Sequence, residues 1–180
     1  MAAKWLRPVD TSLIGRVRRL LWLGGHSRRP DWRPSDEWFA RMEASRAVAP
    51  SPLRAVVAVG QSADIAGLVV ELIAIEVRER GAILYLRARS GADRLLAGAE
   101  VSVSDQLGTA YGVVTGVSGG GNGSWAGEVV IVPRPPAGSR LRVVIPYFGP
   151  TPDRPLPPHI DAQRVDGPWA FEVQVPSDIP

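Results

Sequence analysis

Beyond residue 50 the chain alternates apolar and polar side chains with a period of two. In "GPWAFEVQVP" Trp169, Phe171, Val173 and Val175 point one way and Ala170, Glu172 and Gln174 the other. The same alternation sets Leu141, Val143 and Ile145 against Arg140, Arg142 and Val144, and Trp125, Val129 and Ile131 against Ala126 and Glu128. "ELIAIEVRERGAILYLRARS" reads as a hairpin turning at Arg78 to Gly81, with Leu84 and Leu86 facing inward. Segments at Leu53 to Val59, Glu100 to Ser104 and Thr109 to Val114 bring the total to about eight short strands with no helical pattern between them. Consecutive strands joined by turns imply antiparallel pairing. Two sheets facing each other are the ordinary way to bury so much one-sided apolar surface.

Before residue 50 the period is helical. Leu13, Ile14, Val17, Leu20 and Leu21 gather on one stripe at about 100° per residue, while Arg16, Arg18 and Arg19 fall outside it. Asp10, Thr11 or Ser12 suits the cap of this helix, and Gly24 with Gly25 its end. A second short helix is marked by Ser35 as cap, Asp36 and Glu37 in its first turn, and Trp38, Phe39 and Met42 as its apolar side. Small residues and two prolines in "ASRAVAPSPL" separate the two regimes. The expected organisation is therefore a basic helical arm over residues 1–50 and a β-sandwich over residues 51–180.

Charge divides at nearly the same place. Met1 to Arg54 carries eleven Arg or Lys against five Asp or Glu, a net of +6, and Ala55 to Pro180 carries ten against thirteen, a net of −3. Lys4 is the single lysine, and the Ala, Gly, Pro, Val and Arg usage reads as a high-GC, actinobacterial-like bacterial genome. That bias inflates the isoelectric point of about 9.9 and weakens it as a sign of nucleic-acid binding. With no cysteine, thiolate catalysis and Cys-ligated zinc are excluded. No run of about 18 apolar residues is present, and the apolar part of "RVRRLLWLGG" is shorter than a secretory leader requires. The expected location is the cytoplasm or the periphery of the inner membrane.

Three stretches invite a chemical reading. "VSVSDQLGTAYGVV" brings Asp105, Thr109 and Tyr111 close together, yet Gly108 supplies the positive φ of a chain reversal. Asp105 is expected to accept from amides of its own turn, and Tyr111 to pack on the returning strand. "HIDAQRVD" offers His159, Asp161 and Asp166, but one histidine with two acids on a loop lacks the second histidine of a metal or acid-base site. "SGGGNGSWAG" has neither the lysine nor the following helix of a phosphate loop and reads as a flexible strand connection. "PTPDRPLPPH" reads as a stiff polyproline segment between strands.

"VSDQLGTAYG", a Gly/Ser-rich loop and then "GSWAGEVVIVPRPPAGSRLRVVI" resemble the immunoglobulin-like sandwich domains of bacterial secreted and envelope proteins of the mycobacterial secreted-antigen type. The matching residues are Asp105, Gly108, Tyr111, Gly127, Pro133, Leu141 and Val143, over roughly Val57 to Val175. The resemblance implies an immunoglobulin-like antiparallel β-sandwich acting as an interaction or stability module, commonly behind a signal peptide or lipid anchor.

The sharpest functional signal is the first helix. Its apolar stripe gains about 1.5–3 kcal/mol per fully buried side chain, against about 1 kcal/mol per arginine at an anionic membrane. Apolar burial decides, so the stripe demands a cover. Leu13, Ile14, Arg16, Val17, Arg18, Arg19, Leu20, Leu21 and Trp22 are the expected contact residues for a protein partner, a second copy or an anionic membrane surface. Nucleic acid is disfavoured, because the arginines lack interleaved exposed aromatics and a recognition fold. No catalytic residue, metal or cofactor is expected. The alternatives are a ligand-binding protein or enzyme using the Pro-rich connection Pro146 to Gly167, or a structural subunit of a larger assembly.

Overall fold

The computed structural model describes residues 36–91, 96, 98–121, 123–149 and 164–179; the side chains of residues 38 and 116–121 fall outside that description. Asp36 to Pro180 form one compact unit. It opens with helix α1 (Asp36–Arg46) and continues with β1 (Leu53–Ile65), β2 (Leu68–Arg78), β3 (Gly81–Ser90), β4 (Ala99–Asp105), β5 (Gly112–Gly121), β6 (Ser124–Val132), β7 (Arg140–Phe148) and β8 (Val165–Gln174). The eight strands form two antiparallel sheets, one in the order β1-β2-β3-β6-β5 and one in the order β4-β7-β8.

One apolar core lies between the sheets. The larger sheet contributes Leu68, Leu72, Ile75, Leu84, Trp125 and Ile131, and the smaller one Val103, Leu141, Ile145, Phe148, Trp169 and Phe171, all buried. Along β8 each of Trp169, Phe171 and Val173 is buried and each of Ala170, Glu172 and Gln174 exposed, as the alternation requires. At the end of the core where β1 turns into β2, Phe148 stands edge-on to two indoles. Its ring lies 5.3 Å from Trp125 at 81° and 5.5 Å from Trp169 at 87°. The Trp169 indole N–H donates to the carbonyl of Leu68 at 3.1 Å, tying β8 to the first residue of β2.

Five strands at about 4.8 Å spacing make a sheet roughly 10 Å wider than three, yet both flanks of the larger sheet reach the smaller one. On one flank the Gln61 amide donates to the Glu172 carbonyl of β8 at 2.8 Å. On the other, Ser104 of β4 bridges to Ala110, just before β5. The larger sheet must curl to do this. Register shifts in β1 at Ala58/Gln61, in β2 at Leu72/Ala74 and in β5 at Thr115/Ser118 supply the bends.

Two stretches are more regular than their composition predicts. β1 runs on through Gln61 to Ile65 and turns at Ala66 and Gly67, both at positive φ, with the Gly67 amide bonded to Asp64 Oδ1. The Gly/Ser-rich stretch is a paired strand: Ser118 to Gly121 lie opposite Gly127 to Ser124 across a tight turn with Gly123 at φ 71°. Residues with poor strand propensity extend here because the neighbouring strand offers a full ladder of partners.

Helix α1 occurs where its capping pattern places it, with Asp36 and Glu37 in the first turn and Arg46 in the last. Of its expected apolar side, Phe39 is 38% exposed and Met42 half-buried, and the Trp38 side chain lies outside the described residues. An anchor follows at Val48, two residues past the helix. Fully buried, it packs with Ile83 and Val130 on the outer face of the larger sheet. The Arg78 guanidinium donates to the carbonyls of Ala49 and Ser51 at 2.7 and 3.0 Å, so the stretch between helix and β1 is a braced turn.

Phe148→Ala removes the ring that links both indoles and should cost about 3–5 kcal/mol of stability in urea unfolding; a loss below about 1 kcal/mol would show that the two sheets do not depend on this contact. Gly81→Ala would drive a Cβ against the Ile131 carbonyl and to 2.7 Å from Val48 Cγ2. It should lower the thermal midpoint, whereas an unchanged midpoint would mean that Val48 does not close on the sheet.

Candidate functional site

The arm residues Leu13, Ile14, Arg16, Val17, Arg18, Arg19, Leu20, Leu21 and Trp22 lie outside the described residues, as do His26, His159 and Asp161. Asp166 is described. Its carboxylate accepts from Arg164 Nε at 2.6 Å, and Arg164 stacks over the Tyr147 ring at 3.9 Å. The Tyr147 hydroxyl in turn donates to the Glu100 carboxylate. Tyr147 and Asp166 sit opposite each other in the β7–β8 ladder. Asp166 therefore helps to fasten the two ends of the Pro-rich connection together.

Asp105 does what its turn demands. Oδ1 accepts the amides of Leu107 and Thr109, each at 2.9 Å, and Oδ2 accepts the Tyr111 hydroxyl at 3.0 Å. Gly108 has φ 78°, and its amide donates to the Asp105 carbonyl at 3.0 Å. The turn does more than reverse the chain: β4 belongs to the smaller sheet and β5 to the larger, so Asp105 to Tyr111 carries the backbone across the core. Burial alone would raise the Asp105 pKa, but the bonds from Thr109, Tyr111 and Leu107 outweigh it and hold the carboxyl below its ordinary 3.8. Tyr111, buried and bonded to that carboxylate, is pushed up to about 12.

The outer face of the larger sheet is laced with ion pairs. Glu71 meets Arg87 at 2.6 Å and Arg89 at 2.7 Å, and hydrogen bonds from these two guanidiniums lower its pKa. Glu76 pairs with Arg78 at 2.6 Å, and Glu79 accepts from Arg54 Nε at 2.6 Å. Tyr85, beside Glu76, is raised to about 12, first by burial and then by its bond to that carboxylate. Among the described residues every buried polar side-chain atom has a partner. No group of three His, Cys, Asp or Glu among them is placed to hold a metal.

Among the described residues large apolar side chains are exposed in a few places. Leu107 projects from the sheet-crossing turn, and Leu53, Val56 and Ile73 are 50%, 59% and 43% exposed on β1 and its neighbour β2. This strip was not among the residues marked by the sequence pattern. Its signal is the run "LRAVVAV", apolar at nearly every position, which periodicity alone reads as a buried strand. No protein-family model, curated protein or solved structure matches the chain.

The Asp105 turn makes a pH prediction. A carboxyl with a depressed folded-state pKa contributes stability above its unfolded value, and that share is lost as pH falls through the lower folded value. Asp105→Asn should lower stability at neutral pH and flatten the acid limb of the stability curve below about pH 4. Tyr111→Phe should flatten the alkaline limb between about pH 10 and 12, where the raised phenol pKa loses its contribution. Acid and alkaline limbs unchanged in both variants would contradict the assignment.

Proposed function

We propose that the chain is a non-catalytic interaction module, an immunoglobulin-like β-sandwich serving as a rigid scaffold for the basic arm, which docks to a protein partner or an anionic membrane surface. Strand order supports the immunoglobulin-like reading. With β1 set aside, β2-β3-β6-β5 faces β4-β7-β8, and numbered from β2 this is the ABED and CFG arrangement of constant-type immunoglobulin domains. β1 is then an extra strand laid beside the first. The chain lacks the inter-sheet disulfide common in that fold, since it has no cysteine. The Phe148–Trp125 contact joins the two sheets without one.

The observation that carries the functional reading is how the most reactive-looking side chains are used. Asp105 and Tyr111 are bonded to each other and to their turn, and Asp166 is paired at the root of a connection. The N-terminal stretch, with its net +6 charge and five-residue apolar stripe, is the part of the sequence best suited to engage another molecule. Among the described residues no helix is long and apolar enough to cross a membrane. A cytoplasmic or inner-membrane-peripheral location fits an arm that binds from one side.

The test uses the full chain. Val17→Asp with Leu21→Asp should cut co-sedimentation with phosphatidylglycerol vesicles, or capture of the protein partner, by more than about tenfold, with an unchanged β-type dichroism. Arg16, Arg18 and Arg19 changed together to Gln should weaken vesicle binding and its salt dependence while sparing a protein contact made by the stripe. Undiminished binding in the Asp variant would refute the reading.

A further inference from the structure

We propose that Asp36 to Ser51 form a strap that lifts off the larger sheet as a unit while the sandwich stays closed, giving the tether between the N-terminal arm and the domain two lengths. The consequence for the arm rests on the reading above. The lifting itself follows from how this segment packs.

Its apolar contact is separate from the core between the sheets. Val48 is fully buried against Ile83 and Val130, with Tyr85 and Val132 packed beside them. Ile83 and Val130 stand opposite each other in the β3–β6 ladder, while their neighbours Leu84, Val129 and Ile131 point the other way and belong to the main core. The hollow that receives Val48 is the one a glycine leaves, since a Cβ on Gly81 would lie 2.7 Å from Val48 Cγ2. Withdrawing Val48 therefore uncovers the outside of the larger sheet and leaves the interior sealed. A satellite cluster closed by a segment at one end of a domain is the setting in which chains open locally, below the cost of global unfolding.

The polar contacts permit the same motion. Within the strap Glu37 pairs with Arg41 at 2.6 Å and Glu43 with Arg46 at 3.8 Å, Ser45 Oγ donates to the Met42 carbonyl at 2.8 Å, and Ser51 Oγ donates to the Val48 carbonyl at 2.6 Å. These bonds travel with it. Arg78 reaches across from β2 to the carbonyls of Ala49 and Ser51. On opening, those carbonyls pass to water and Arg78 keeps Glu76 at 2.6 Å, so no charge is left buried without a partner. The hinge falls at Pro52, whose carbonyl accepts the Glu79 amide at 2.9 Å, and beyond it β1 is paired with β2. With the strap closed the arm joins the domain at Asp36. With it open the attachment retreats to Pro52, and the freed chain spans up to roughly 50 Å. An arm held by a partner or a membrane then stays joined to a sandwich that can reorient.

Amide exchange of the full chain in zero to moderate urea, followed by mass spectrometry, tests the strap. Its amides should exchange faster than those of β3 and β6, through an opening that urea promotes only weakly because little surface is exposed. Val48→Ala removes two carbons from the satellite cluster and should speed strap exchange about tenfold. Ile145→Val, in the main core, should speed exchange of β3 and β6 several-fold and leave the strap's rate unchanged, because the strap opens without the core. Val48→Asp should free the strap outright, with β-type dichroism and a slow Trp169 indole proton retained. Strap amides that exchange in step with the core, acceleration of the strap by Ile145→Val, unchanged strap exchange in Val48→Ala, or loss of β-type dichroism in Val48→Asp would each overturn the proposal. Exchange is read without vesicles or a partner, so failure here is distinct from failure of the arm to dock.

Discussion

Phe148 lies edge-on between Trp125 of the larger sheet and Trp169 of the smaller, and most of the domain's architecture can be derived from keeping that contact dry. Edge-to-face aromatic pairs contribute about 0.5–1.5 kcal/mol each beyond the area they bury. Their greater effect is geometric, because they set the spacing and rotation of the two layers where they cross. The indole N–H of Trp169 cannot be buried without an acceptor, and the Leu68 carbonyl supplies it from the opposite sheet. A wide sheet sealed over a narrow one must curl, so the bulges in β1, β2 and β5 follow from the mismatch in strand number.

A sealed apolar interior sends polar chemistry to the rim. Asp105 sits where the chain crosses between sheets, and its carboxylate gathers the amides that a tight crossing leaves unpaired. Tyr111 enters the core beneath it and spends its hydroxyl on the same carboxylate. On the outer face, Glu71, Glu76 and Glu79 each hold an arginine, so the exposed surface of the larger sheet is largely self-neutralising. Val48 fills a hollow over Gly81, where any side chain would strike the Ile131 backbone. Val48 and the Arg78 brace fasten the stretch that follows the short helix to the larger sheet.

The sequence pattern reveals a strand where one face is wet and the other dry. β6, β7 and β8 meet that condition, and their alternation identifies the buried residues individually. It fails where pairing overrides propensity, as in Gly119 to Gly121, and where polar residues extend a strand, as from Gln61 to Asp64. The Asp105 turn was readable down to its amide bonds because Asp-x-x-Gly carries its own local geometry. Its role in crossing between sheets was not, because that depends on which distant strands pair. The β1 edge went unmarked for a related reason: periodicity shows that a strand is apolar without showing whether a neighbour covers it. Val48 was missed because a single valine in a small-residue stretch carries no periodic signal.

Hydrogen exchange at the Trp169 indole N–H, followed by nitrogen-15 NMR, tests the sealed core most directly. With its donor bonded to Leu68 between the sheets, that proton should exchange only through global unfolding and slow in step with added stability. Exchange at the rate of a solvent-exposed indole would mean that water reaches this part of the core and that the two sheets are not closed on each other there.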